Sequence, residues 1–229
     1  WLLVRWPVSV SPVGVVLSGC AGGLVAGGTW AFIEALRDSD LSVVSPLQQT
    51  IPVVAALLEP VLVAGFGFEP RLLLAAGVTA VGAYTVSVER GNPWLPLRTL
   101  RERGPLLALL TAVLLGVASI VGHVTTQQLP VSVYVFVLSA TATALLFAAG
   151  PSRPPSAGVL GVYGLAFAAN LWFSILALSL VAASQATVFF RLSLILNLVI
   201  GFVVFGERNV LFRVLGALVI IAGVVITVV

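Results

Sequence analysis

The sequence has little charge, a single cysteine, and neither lysine nor methionine. Charged residues make up 8% of the 229 residues and hydrophobic residues 60%, whereas soluble domains have about 25% and about 45 to 50%. This composition excludes an ordinary soluble domain. Several runs of about 20 residues carry almost no charge, which is the length that crosses a bilayer. We therefore expect a multi-pass integral membrane protein, in contact with lipid and located in the cell (plasma) membrane.

Other absences exclude further classes of function. Cys20 has no second cysteine with which to form an intramolecular disulfide. The net charge of +3 comes from scattered arginines, so we expect no nucleic-acid partner. There is no paired carboxylate at catalytic spacing, Cys/His cluster, phosphate loop or serine elbow. We predict that the protein is not an enzyme and uses no metal or cofactor. Because the chain begins at Trp1 without a signal-peptide pattern, we expect the natural protein to start upstream.

Apolar runs and polar breaks predict an all-α transmembrane helix bundle of about eight spans. Residues 1–88 form a first half with spans at about 13–36, 41–66 and 71–88. The arginine-rich segment 89–104 is a predicted linker. Residues 105–229 form a second half, with five spans at about 105–124, 130–149, 157–182, 184–205 and 210–229. Three prolines kink the second span, which places it inside the bundle, where protein or water can satisfy the freed backbone groups.

A weak internal repeat relates residues 46–69 to residues 184–207. In this register Glu59 matches Asn197, and Glu69 matches Glu207. The second copy is an apolar helix, the break Gly-Glu-Arg-Asn, and a helix ending in LGALVIIAG. This arrangement resembles the EamA-type family of the drug/metabolite transporter superfamily, over nearly the whole chain.

The resemblance implies five helices in each half, so that the first half here lacks two. A unit with an odd number of spans gives an inverted repeat, with the site near the midplane at the repeat interface. The resemblance further implies a secondary active transporter, or permease, that moves small metabolites or drug-like solutes by alternating access. The alternative is a non-transporting membrane scaffold or a defective fragment of a transporter. The scarcity of acids within the spans argues against a multivalent cation as solute.

Two ionisable residues lie deep within predicted spans, where charge is costly. Counting residues from the helix ends places Glu59 and Arg191 at a similar depth on the same side of the membrane. We expect an ion pair between them that joins the two halves and that alternating access makes and breaks. There are two alternatives: the pair is structural and permanently closed, or Arg191 reaches alone to the membrane interface.

The remaining candidates are mostly neutral. His123, the only histidine, could move a coupling proton or could simply be a polar helix end. Hydrogen-bonding and aromatic groups at membrane depth are of the kind that lines a site for a small polar solute. As substrate-binding candidates we name Glu59, Asn197, Gln48, Gln49, Thr50, Asn170, Trp172 and Tyr84.

Two further patterns concern packing and orientation. Gly19, Gly23 and Gly27 stand four residues apart in the first span and predict a face on which another helix packs closely. Most loop arginines fall on the side of the linker, which predicts a cytoplasmic linker and a C-terminus outside. The resembled family instead implies cytoplasmic termini, so both orientations remain open.

Overall fold

The computed structural model describes residues 11–39, 41–63, 65–87, 100–149, 157–196 and 210–228. Within these residues every regular element is helical. The helices are α1 (Pro12–Asp38), α2 (Leu41–Gln48), α3 (Ile51–Leu62), α4 (Pro70–Ser87), α5 (Arg103–Thr126), α6 (Val131–Ala148), α7 (Ala157–Leu180), α8 (Ala183–Phe190) and α9 (Val210–Val228). The predicted all-α bundle is confirmed.

Three of the described helices, α1, α5 and α6, are long and apolar enough to cross a bilayer by length and composition. Shorter apolar helices occur at Leu165–Leu180, Ala183–Leu196 and Val214–Thr227. Helix α5 occupies the middle of the arrangement, because it contacts α1, α2, α3, α7 and α8. The chain is a multi-pass membrane helix bundle.

Small residues bring α1 close to its neighbours, although not the residues that the sequence pattern indicated. A Cβ added at Gly22 would lie 2.8 Å from the carbonyl oxygen of Leu138, whereas a Cβ at Gly19 would meet nothing within 4 Å. At Gly23 and Gly27 the nearest atoms are at ordinary van der Waals distance. The expectation for the glycine stripe was therefore wrong. The packed face carries Gly14, Ser18, Ala21, Gly22, Ala26, Gly28, Ala31 and Ala35.

Helices α4 and α9 form the most extensive pair and run antiparallel where they cross. A Cβ on Gly82 would lie 2.7 Å from the carbonyl oxygen of Gly216, and one on Gly223 would lie 3.0 Å from that of Ala75. Each helix thus contributes two small residues seven positions apart. Their absent or minimal side chains let the two backbones touch.

The predicted second span is two helices rather than one kinked helix. Helix α2 ends at Gln48 and α3 begins at Ile51, with Gln49 and Thr50 in a turn. Pro52 accounts for this break, because it has no N–H group to donate to the carbonyl of Gln48, four residues back, and its ring clashes with that carbonyl. The Gln49 and Thr50 amides instead bond to the carbonyls of Pro46 and Leu47, three residues back.

The predicted seventh span is also interrupted. Helix α8 begins at Ala183 and ends at Phe190, Arg191 forms a turn, and residues 192–196 are helical again. The Arg191 amide donates to the carbonyl of Val188, which is the short-range bonding of a tightened turn. Of the predicted linker 89–104, residues 89–99 lie outside the described residues, as does Asn197. The division into halves remains a prediction.

Candidate functional site

Glu59 is fully buried near the end of α3, and its carboxylate holds the start of α8. One oxygen, Oε1, accepts the amide of Ala183 at 2.6 Å, and Oε2 accepts the amide of Ser184 at 2.9 Å. The first amides of a helix have no partner within the helix. Ala182, at the N-cap position, has no side chain able to accept them. Glu59 therefore supplies the missing cap from another helix, and the helix dipole favours its negative charge.

The position of Glu59 contradicts the predicted contact between Glu59 and Arg191. Glu59 lies beside the first residues of α8, and Arg191 lies eight residues further along, about 12 Å away at 1.5 Å per residue. The expected ion pair is therefore wrong for this conformation. The depth argument failed because α3 ends at Leu62, only three residues beyond Glu59, whereas a continuous second span would place that carboxylate deeper.

Arg191 instead bonds to Gln49. Its Nη1 donates to the side-chain oxygen Oε1 of Gln49, which is 5% exposed. The Nε atom of Arg191 is buried and has no hydrogen-bond partner among the described residues. Because Gln49 is a neutral amide, this contact satisfies a donor without neutralising the guanidinium charge.

Both residues of this contact lie where a helix is interrupted. Gln49 occupies the turn between α2 and α3, and Arg191 occupies the turn after α8. A break in helical hydrogen bonding at membrane depth is tolerated where protein or a water-filled cavity satisfies the freed backbone groups. The two turns therefore place a polar contact, the hydrogen bond between Arg191 and Gln49, inside an otherwise apolar bundle.

An open cavity of about 720 Å³ lies beside Arg191, and its wall residue Phe173 is 67% exposed. Helix α7 contributes Asn170, Phe173 and Ser174 to its wall. The end of α8 contributes Phe189 and Phe190. Ser174 Oγ donates to Asn170 Oδ1 at 3.4 Å. The volume lies in the range of small-molecule sites, and the lining combines aromatic surface with few polar groups, as such sites do.

His123 binds the end of α7 and lies outside the lining of this cavity. Its Nδ1 lies 2.8 Å from the carbonyl oxygen of Leu178, so Nδ1 carries the hydrogen and donates it. Gln127 Nε2 donates to the next carbonyl, that of Ser179, at 3.3 Å. Carbonyls in the last turn of a helix lack internal partners. The two side chains from the end of α5 therefore cap α7.

The other substrate-binding candidates are dispersed. Thr50 Oγ1 donates to the carbonyl of Leu47 and so closes the turn between α2 and α3. Gln48 is half-buried, and Trp172 is 37% exposed and outside the cavity lining. Tyr84 is half-buried on α4. Of the named candidates, the structure brings Gln49 and Arg191 into contact and places Asn170 in the cavity that Arg191 lines.

Sequence reasoning missed the aromatic and serine lining of the cavity. Phe173, Ser174, Phe189 and Phe190 carry no signal by themselves, because phenylalanine and serine are common in apolar helices. One signal was available: they lie within four residues of Asn170 or Arg191, the polar residues that sequence reasoning did select.

Comparisons with known proteins agree with this architecture. A model of the EamA-like transporter family matches residues 102–229. Fourteen chains in solved structures match. One, a protein crystal structure, aligns with a TM-score of 0.75 and 17% identity, over 99% of this chain and 81% of the other. At that identity the likeness shows the fold alone. No curated protein matches the sequence.

Proposed function

Because the chain belongs to the EamA-like transporter family, we propose that it is a secondary active transporter, moving a small metabolite or drug-like solute by alternating access. The observation that carries this proposal is the cavity of about 720 Å³ at the interruption of α8. A helix broken beside a site is a recurring feature of secondary transporters, in which one group of helices rocks against another around the bound solute. A non-transporting scaffold has no need of such a cavity.

Glu59 is the residue proposed to couple transport to protons. Its carboxylate is fully buried and binds two backbone amides at the start of α8. Protonation would remove the charge that the helix dipole favours and one of the acceptors that hold the amides. The start of α8 would then be free to shift, and with it the turn at Arg191. The cell membrane is the proposed location.

Exchange across a bilayer tests the proposal. We would reconstitute the full chain into liposomes loaded with a mixed panel of unlabelled amino acids, sugars, nucleotides and hydrophobic ions, and follow entry of each labelled compound. We expect at least one compound to exchange saturably and faster than in protein-free liposomes. A folded chain that exchanges none of them contradicts the proposal and favours the scaffold.

A matched pair of variants ties exchange to the cavity. Ser174→Trp places a large ring in the cavity wall, so we expect exchange to be lost. Leu180→Trp adds the same ring to the same helix at a position that is 75% exposed and outside the cavity lining. It should exchange like wild type. Equal exchange by both variants would show that solute does not pass through this cavity.

A further inference from the structure

The charges around the cavity do not balance. Arg191 lines it and brings a positive charge that is permanent at physiological pH. Its described hydrogen-bond partner, Gln49, is neutral. The one buried carboxylate among the described residues, Glu59, is already bound to the Ala183 and Ser184 amides at the far end of α8. The described ion pairs all involve other residues. Within the described chain, the guanidinium of the half-buried Arg191 therefore has no counterion.

The geometry of the guanidinium adds a second requirement. Arginine presents Nε and Nη2 on one edge, where a carboxylate can accept two parallel hydrogen bonds. Gln49 binds the Nη1 atom and leaves that edge to another partner. Nε, which belongs to that edge, is buried and unbonded among the described residues. A buried donor without an acceptor is unfavourable, so a rotation that turned this edge to an anion in the cavity would be stabilised.

The other residues of the cavity wall indicate the chemistry of the uncharged part of the ligand. Phe173, Phe189 and Phe190 contribute aromatic surface, which suits an apolar or aromatic group. We propose that Arg191 and this aromatic wall form a binding site for an organic anion, a carboxylate attached to an apolar body, and that this anion is the transported solute. The inference rests on the proposed transport function and names its substrate class.

Three compounds with the same body and different charge test the inference. They are 3-phenylpropionate, 3-phenylpropanol and 3-phenylpropylamine, each added to the purified full chain during thermal unfolding in detergent. A ligand that binds the folded state raises the unfolding midpoint. We expect the carboxylate to raise the midpoint, and the alcohol and amine to bind about tenfold or more weakly, since they lack the charge-assisted bonds. Equal shifts from all three compounds would overturn the inference.

Variants of the two contacting residues locate the effect. Arg191→Gln should remove the preference for the carboxylate, and Arg191→Lys should weaken it, because lysine keeps the charge but loses the fork. Gln49→Glu is the informative variant, because it supplies a carboxylate to Arg191 from within the protein. It should remain folded and lose the preference as well. Arg71→Gln, which removes an exposed arginine in the first turn of α4, should bind like wild type.

The outcomes separate this inference from the transport proposal. A folded Gln49→Glu variant that still prefers 3-phenylpropionate would show that Arg191 does not bind the anion. If the reconstituted chain exchanges some solute and shows no charge preference, the inference fails while the transport function stands. If the carboxylate binds through Arg191 and no compound is exchanged, the transport function fails and with it the assignment of the anion as transported solute.

Discussion

At the scale of single residues, the partners of a buried charge depend on which backbone groups lack hydrogen bonds. Glu59 is drawn to the start of α8 because Ala182 cannot cap that helix with its own side chain. Arg191, at the other end of α8, meets the amide of Gln49. Both residues are thus held by neutral polar groups, and neither neutralises the other.

Replacing Glu59 with glutamine tests the cap. Glutamine has one side-chain oxygen and no charge, so one of the two amides at Ala183 and Ser184 would lose its acceptor and the favourable interaction with the helix dipole would disappear. We expect Glu59→Gln to lower the free energy of unfolding by about 1 to 3 kcal/mol. Thermal or denaturant unfolding in detergent measures the change.

The control for this variant is Glu69→Gln. Glu69 is exposed in the loop before α4, where a lost charge should change stability by no more than about 0.5 kcal/mol. Equal effects of the two substitutions would show that the amide contacts of Glu59 contribute nothing, and would remove the basis for assigning it a coupling role.

At the scale of helices, close packing depends on which face carries small residues, and regular spacing does not identify that face. The buried residues Gly14, Ser18, Gly22 and Ala26 of α1 have the same four-residue spacing as the glycine stripe. They precede its positions by one residue, which is about 100° around the helix, so spacing alone does not distinguish the two faces. The pairing of α4 with α9 is closer still, with backbone groups of each helix against the glycines of the other.

Two glycines of α4 offer a matched test of this contact. A methyl group on Gly82 would lie 2.7 Å from the Gly216 carbonyl oxygen and 2.7 Å from the Ile220 amide nitrogen. Gly82→Ala must therefore push the helices apart, and we expect it to destabilise the fold by about 1 to 3 kcal/mol. Denaturant unfolding in detergent measures the loss.

Gly77→Ala is the control on the same helix. A methyl group there meets nothing within 4 Å, so only the better helix propensity of alanine acts, by about 0.5 to 1 kcal/mol. We expect this variant to match or exceed wild-type stability. A destabilised Gly77→Ala beside an unchanged Gly82→Ala would contradict the described contact.

Helix breaks differ in how far sequence reveals them. Pro52 made the break before α3 foreseeable as a kink, since proline removes a backbone donor. No proline or glycine lies next to Arg191 in the sequence to predict the break there. There the chain turns at the residue whose guanidinium reaches Gln49 on another helix, which is a contact that local sequence does not encode.

At the scale of the whole molecule, the orientation in the membrane gives a prediction with two opposite outcomes. Arginines on the linker side outnumber those on the other side, which predicts that the start of α5 faces the cytoplasm. The family arrangement with both termini in the cytoplasm predicts the reverse. Helix α4 separates the two test positions, because Phe68 precedes it and Arg101 follows it.

Single-cysteine labelling in intact cells distinguishes the two orientations. In a Cys20→Ser background, a membrane-impermeant maleimide should label Phe68→Cys directly and Arg101→Cys only after permeabilisation. Both positions are exposed, so access to the aqueous side decides the result. The reversed pattern would support the family arrangement and show that the arginine count misleads in this chain.

The sequence by itself determined the class of the molecule, and tertiary structure decided the site. Composition and run length predict an all-α membrane bundle, because apolar runs of about 20 residues cross the hydrocarbon core as helices, which form all their backbone hydrogen bonds within the segment. The motif ending in LGALVIIAG was enough to identify the family. The partners of Glu59 and Arg191, the packed face of α1 and the cavity between α7 and α8 were not readable. Each depends on where separate helices end and on which unsatisfied backbone or side-chain groups then come into contact. Those contacts are determined only when the helices pack together.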